Sequence, residues 1–255
     1  MDFAISMLKK ELTKYNLGNS DEMADKMYAF MNLVLERNET VNLTAITDKE
    51  EFVQKHLLDS VTCYGWPEIE RARTIVDVGT GAGFPGIPLA ICYPEKQFVL
   101  LDSLGKRIDF INDVVKAMDL SNVKAVHSRA EDAGRSADIR EQFDLCVTRA
   151  VAPLNILLEY CLPLVCPSGF VYAYKTIKAL EEIKESSLAL RLLGASTDVQ
   201  VKAYGRETVS VDSSSEDATK SSASPYSLAV FVVDKQKNTP IEYPRKAGTP
   251  KKVPL

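Results

Sequence analysis

From Thr74 onward the chain alternates short runs of β-branched and aromatic residues with segments long enough to form helices. The runs fall at residues 75–78, 98–101, 123–127, 143–147, 170–174, 199–203 and 228–233. Between them, Ile108, Ile111, Val115 and Met118 recur at helical spacing, and residues 154–165 and 179–193 supply two more helical segments. Strands separated by helices specify a parallel α/β sheet, because a parallel pair needs a long crossover that packs on a sheet face. Between the last two runs lie residues 204–227, most of them a segment, 210–227, with eight serines and with Asp212, Glu216 and Asp217. That segment is too polar to form a crossover helix, so it reads as a mobile loop joining an antiparallel pair. The expected fold is α/β: a Rossmann-like, seven-stranded, mostly parallel sheet with an antiparallel last strand. Ligands of such sheets sit at the carboxyl ends of the strands.

Ahead of the sheet the pattern is helical. Met23, Met27, Phe30, Met31, Val34 and Leu35 share a face, with Asn19 placed as an N-cap and Glu22 as its N3 partner. A second helix, about residues 50–64, puts Phe52, Val53, His56, Leu57, Ser60 and Val61 on one side. Residues 1–70 are therefore expected to form a helical cap, and 71–255 the sheet domain with its serine-rich loop (210–227) and a tail (235–255).

Composition excludes several functions. With 45% apolar and 26% charged residues in 255 positions, the chain is an ordinary globular protein rather than a disordered or collagen-like one. No window approaches the roughly 18 consecutive apolar residues of a membrane span, and Lys9, Lys10, Glu11 and Lys14 interrupt the N-terminus, so a cytoplasmic location away from membranes is expected. Five cysteines without a C-x-x-C pair read as reduced core thiols, and with only His56 and His127 beside them no metal site is expected. The net charge of −4 argues against a general polyanion binder, but from Lys235 onward six basic residues face Glu242 alone. That tail reads either as a phosphate-binding arm or as a solvated, proline-punctuated end.

The chemistry concentrates after the first strand, at Asp77-Val78-Gly79-Thr80-Gly81-Ala82-Gly83-Phe84-Pro85-Gly86. Glycines there let the backbone turn sharply and approach a ligand. Gly81, Gly83 and Gly86 match G-x-G-x-x-G, and Asp102, twenty-one residues beyond Gly81, ends the second strand where an acid accepting from a ribose belongs. A nucleoside-containing cofactor follows. A dinucleotide would set its pyrophosphate on the helix N-terminus, whereas S-adenosylmethionine has no phosphate and needs a cradle for its amino acid. The third strand ends in Ser128-Arg129-Ala130-Glu131-Asp132, an acidic turn suited to an adenine edge, and the fourth in Thr148-Arg149. His56 and Asp59, three apart on one helix, read either as substrate-handling groups or as a buried histidine satisfied by a carboxylate that fastens the cap.

The glycine block resembles that of class I methyltransferases, and its surroundings narrow the likeness. Asn42-Leu43-Thr44-Ala45-Ile46, Lys55-His56-Leu57-Leu58-Asp59-Ser60, Gly83-Phe84-Pro85-Gly86-Ile87-Pro88, Leu101-Asp102-Ser103-Leu104-Gly105-Lys106-Arg107, Ser128-Arg129-Ala130-Glu131, Arg149-Ala150 and Tyr243-Pro244-Arg245-Lys246-Ala247-Gly248-Thr249-Pro250 together resemble the RsmG (GidB) family, nearly end to end.

That resemblance implies methyl transfer from S-adenosylmethionine to N7 of one guanine in 16S ribosomal RNA, near the decoding centre of the small ribosomal subunit, by a monomer. Carried over by position, it places Gly79, Thr80, Gly81, Phe84, Asp102, Ala130, Glu131 and Arg149 at the cofactor. It places His56, Asp59, Arg129 and Lys175 on the catalytic face, and Asn42, Ser60, Lys106, Arg107, Arg245 and Lys246 at the RNA. The chain departs from the family pattern by lacking any Lys or Arg between Lys220 and Lys235 and by carrying Thr176 after Lys175. Two other functions share parts of this pattern. A nicotinamide-dependent oxidoreductase would use the same glycines and Asp102 but needs a proton-relay Tyr or Lys after the fourth strand, where Thr148-Arg149-Ala150-Val151 stands. A non-catalytic RNA-binding module would retain the basic residues without a working cofactor pocket.

Overall fold

A computed structural model describes residues 2–15, 19–203, 208–209 and 228–255. In chain order its elements are α1 (Phe3–Leu12), α2 (Ser20–Asn38), α3 (Lys49–Phe52) running directly into a π-helix (Val53–Leu58), α4 (Pro67–Arg71), β1 (Thr74–Val78), α5 (Gly86–Cys92), β2 (Gln97–Asp102), α6 (Gly105–Ala117), β3 (Val123–His127), α7 (Ala130–Ala133), β4 (Phe143–Arg149), α8 (Leu154–Cys161), β5 (Val165–Thr176), α9 (Glu181–Glu185), α10 (Ser187–Leu192), β6 (Gln200–Ala203), β7 (Thr208–Val209), β8 (Leu228–Asp234) and α11 (Thr249–Lys252).

The strands form one sheet in the order β3-β2-β1-β4-β5-β8-β6-β7. β1 to β5 run parallel, and β8 lies antiparallel between β5 and β6. All seven expected runs are strands, and the two-residue β7 extends the β6 edge. The order reverses between β1 and β4, so the carboxyl ends of β1, β2 and β4 open the crevice where an α/β sheet binds its ligand. The serine-rich loop expected at 210–227 lies outside the described residues.

Each sheet face carries its own core. On one face Leu8, Met27, Phe30 and Met31 from α1 and α2 join Phe52, Leu57, Ile75, Phe98 and Leu100 in a single buried cluster. On the other, α8 to α10 cover Val76, Cys146, Val171 and Phe231. The apolar face read for α2 is thus the face that meets the sheet side. Its Asn19 cap, expected to bond the first turn, makes no side-chain hydrogen bond there, whereas Asp2 caps α1 through the Ala4 amide (3.1 Å). The second expected helix departs from α geometry at Val53, and the wider π turn shifts the phase of the residues after it.

The tail is not a free arm: it is anchored at points along its length, with Lys237, Lys246, Lys251 and Lys252 left exposed. Lys235, wholly buried, donates to Glu141 (2.6 Å) and to the Leu162 and Val165 carbonyls. Arg140 grips the carbonyls of Thr239 and Tyr243, and Arg245 forms a two-pronged pair with Glu159, whose carboxyl is enclosed in α8. Buried carboxylates and ammonium groups require such partners, and the strap along α7 and α8 supplies them. Four of the five cysteines are buried thiols. Among the described residues no helix is long and apolar enough to cross a membrane.

Candidate active site

Two clefts meet at the carboxyl end of β4. The first, of about 280 Å³, is lined by the ends of β1, β2 and β3: Gly79, Asp102, Ser103, Arg107, Ala130 and Glu131, with Val151 and Tyr160 opposite. The second, of about 430 Å³, is lined by His56, Asp59, Arg149, Tyr174, Lys175 and Glu182. Ala150 belongs to both and holds φ +56°, a left-handed conformation that a non-glycine residue rarely adopts.

The glycine loop at the first cleft is organised by its own amides. Gly79 and Thr80 donate to the Leu101 carbonyl (2.8 and 3.1 Å), Gly81 to Asp102 (2.9 Å), Gly83 and Phe84 to the Thr80 carbonyl, and Gly86 to Asp77 (2.9 Å). In residues 79–86 only the Ala82 amide is left over, so no nest of free donors awaits a pyrophosphate. That geometry removes the dinucleotide alternative. Gly79 needs its missing side chain for two reasons. Its φ is +72°, and a Cβ there would stand 2.5 Å from Val151 on the opposite wall.

Asp102 and Glu131 give this cleft its acidic character. Asp102, 3% exposed, accepts from the Gly81 and Leu104 amides (both 2.9 Å) and faces Arg107 at 3.3 Å. It therefore pins the glycine loop to β2 as well as lining the cleft. Glu131, 5% exposed, accepts from the Gly248 amide (2.8 Å), which ties the strap to the cleft wall. Ala130 and Glu131 open α7, so their amides have no carbonyl ahead of them within the helix. Two carboxylates, free first-turn amides and a bare glycine wall fit a nucleoside attached to a cationic sulfonium amino acid, with no phosphate to accommodate.

At the junction, Arg149 donates to the Lys55 carbonyl (3.0 Å) and to Nδ1 of His56 (2.9 Å). A guanidinium only donates, so Nδ1 is the bare nitrogen and the ring proton sits on Nε2, pointing at the Thr44 hydroxyl 2.8 Å away. Burial, reinforced by the Arg149 charge, pushes the His56 pKa down to about 4. Phe84 stacks on the imidazole (4.7 Å, 17°) and lies under the guanidinium (5.3 Å). His56 is thus a neutral clamp between the helices and β4, with neither nitrogen available as a general base.

Several expected positions serve other ends. Phe84 and Thr80 are buried and stand apart from the first cleft, and Arg149 lines the second cleft rather than the first. His56 is satisfied by Thr44 and Arg149, not by Asp59. Ser60, expected at the RNA, is fully buried and donates to the His56 carbonyl. Arg107 faces the first cleft, Lys175 is held by Glu182 (2.8 Å) and the Ala152 carbonyl (2.7 Å), and Arg245 is spent on Glu159. Asn42, Lys106, Arg129 and Lys246 are exposed, Arg129 at the rim of the first cleft. Thr44, Val151, Tyr160 and Glu182 carry no role in the sequence reading, although Thr44 and Val151 lie in segments quoted above.

The family model described as rRNA small subunit methyltransferase G matches residues 23–209. This chain belongs to that family. It is 41% identical over 235 residues to ribosomal RNA small subunit methyltransferase G of Alkaliphilus metalliredigens, covering 92% of both chains. To the protein of the same name in Clostridium perfringens it is 39% identical over 249 residues, 98% of both. Among solved structures, the O-methyltransferase from Bacillus cereus in complex with SAH superposes with a TM-score of 0.53 at 19% identity, over 81% of this chain and 91% of that one. That likeness shows the fold, the class I methyltransferase sheet.

Proposed function

We propose that this chain transfers the methyl group of S-adenosylmethionine to N7 of one guanine of 16S ribosomal RNA in the small ribosomal subunit, near the decoding centre. In this reading it acts in the cytoplasm as a monomer without a metal, its first 70 residues forming a cap on the methyltransferase domain. The observation that carries the reading is the junction at Ala150, where a cleft suited to the cofactor adjoins a second one of about 430 Å³ lined by Arg149.

S-adenosylmethionine brings an electrophilic methyl group on a sulfonium. Guanine N7 offers an in-plane lone pair with no proton to remove, so the reaction needs no general base, in keeping with a His56 whose nitrogens are both engaged. Alignment then carries the rate, and a correctly held pair of reactants is worth roughly 7 to 11 kcal/mol. Asp102 and Glu131 hold the ribose and adenine ends, and Gly79 leaves room for the methionine end. Arg149 spends two of its N–H groups on Lys55 and His56, which leaves the others to donate to guanine O6. Exposed Asn42, Lys106, Arg129 and Lys246 meet the surrounding RNA.

The test incubates the protein with methyl-labelled S-adenosylmethionine and small subunits lacking the modification, then maps N7-methylguanine by borohydride and aniline cleavage. One labelled guanine in the decoding-centre loop is expected. Binding of the cofactor without labelled RNA would overturn the substrate, and no cofactor binding would overturn the reaction.

A further inference from the structure

In the second cleft nearly every charged group is already engaged. Lys175 is held by Glu182, which also takes the Leu154 amide; Arg149 is held by His56 and the Lys55 carbonyl; Lys55 reaches Glu51. Among the described residues the exception is Asp59. Its half-buried side chain lines this cleft and makes no hydrogen bond and no ion pair. Arg149 and Lys55 are near enough to attract it, yet neither closes into an ion pair with it. A carboxylate partly withdrawn from water and without a protein donor is less well solvated than a free one, and a ligand that brings donors restores what it lacks.

Arg149 and Asp59 line the same cleft and attract each other, a donor and an acceptor with two oxygens. Guanine displays the complement along one edge: the O6 acceptor, then the N1 and N2 donors. Adenine displays a donor and then the N1 lone pair, which would face the carboxylate. Resting on the function proposed above, we infer that Asp59 accepts the N1–H and N2–H groups of the target guanine while Arg149 donates to O6, so that this pair selects guanine and turns its N7 toward the cofactor cleft. Asp59 is thereby a specificity-determining residue that touches substrate and takes no part in proton transfer. The carboxylate is pushed up to about 6 by burial, as expected of a group whose donors arrive with the ligand.

The experiment compares wild type, Asp59→Asn and Asp59→Ala on small subunits reconstituted with guanosine or inosine at the target position. Inosine lacks only the N2 amino group. Wild type should lose about tenfold or more in kcat/KM on inosine, the scale of one good base contact. In both variants the guanosine-to-inosine ratio should fall to near one, with S-adenosylmethionine affinity unchanged because Asp59 lies outside the first cleft. Equilibrium binding to the two kinds of subunit repeats the comparison where a variant turns over too slowly to assay. An unaltered ratio in the variants overturns the inference while leaving the methyltransferase reading intact. Failure of wild type to methylate the guanosine subunit overturns both.

Discussion

An unpartnered carboxylate must burden the fold, and the burden has a calculable pH signature. Asp59→Asn removes it with almost no change of shape. The rise from the usual 3.8 to about 6 corresponds to about 3 kcal/mol if counted in full. The side chain keeps some solvent contact and asparagine is itself polar, so a gain of about 1 to 2 kcal/mol is expected. The sign follows from the direction of the rise. With its folded value above its unfolded one, Asp59 costs nothing below about pH 3.8, costs progressively more as pH rises toward 6, and its penalty is constant above that. The variant should match wild type near pH 4 and exceed it by the full amount at pH 8, which in a chain of this size raises Tm by about 2 to 8 °C. His56, held down at about 4, destabilises both proteins as pH falls below 6.5 and cancels in the difference. Urea denaturation of both proteins across pH 4 to 8 gives the curve directly. A gain independent of pH, or a variant less stable than wild type at pH 8, would refute the account of Asp59 as an unpaired group. A stabilised variant with impaired guanine selection would show a stability cost carried for function.

Two further outcomes are expected. Arg245→Ala leaves the enclosed Glu159 carboxylate without its guanidinium, so stability should fall by about 3 to 5 kcal/mol, with the strap beyond Pro240 cut early in limited proteolysis; unchanged denaturation would show that the pair is not a structural anchor. Gly79→Ala drives a methyl group against Val151 at a residue held at φ +72°, so calorimetry should show S-adenosylmethionine affinity reduced by tenfold or more while the fold persists. Wild-type affinity would mean that this wall does not bound the cofactor.

Much of the architecture could be read along the chain because its signals are local. Short runs of β-branched and aromatic residues mark strands, and residues just after them mark the sheet's ligand-binding ends, so the glycine block and Asp102 were legible from the sequence. Where local signals misled, identifiable competitors intervened. The segment 154–165 reads as one helix, but α8 stops at Cys161, a 3-10 turn follows, and β5 begins at Val165. The segment 179–193 breaks at Ser186, whose hydroxyl bonds the Glu182 carbonyl. The helix carrying His56 and Asp59 turns π at Val53, so three-residue spacing no longer brings those two side chains together. The basic tail shows the limit best. Counted as charge it resembles a polyanion-binding arm, yet Lys235 is a buried structural cation and the half-buried Arg245 is bound to Glu159, while Lys237, Lys246, Lys251 and Lys252 stay exposed.

The amino-acid order alone determined the seven main strands, their sequence along the chain, and where a glycine turn meets an acid. Backbone propensity and apolar periodicity act over a few neighbouring residues, and those properties are written locally. Tertiary structure decided which charged groups are spent and which remain. Arg149 reaches His56 across 93 positions, Arg245 reaches Glu159 across 86, and the Gly248 amide reaches Glu131 across 117. No local pattern encodes such pairings, because they depend on where the sheet and its packed helices bring distant segments to within about 3 Å, the range over which a hydrogen bond forms. Asp59 and Glu159 are the same chemical group, and only the folded chain makes one a sealed anchor and the other an open acceptor.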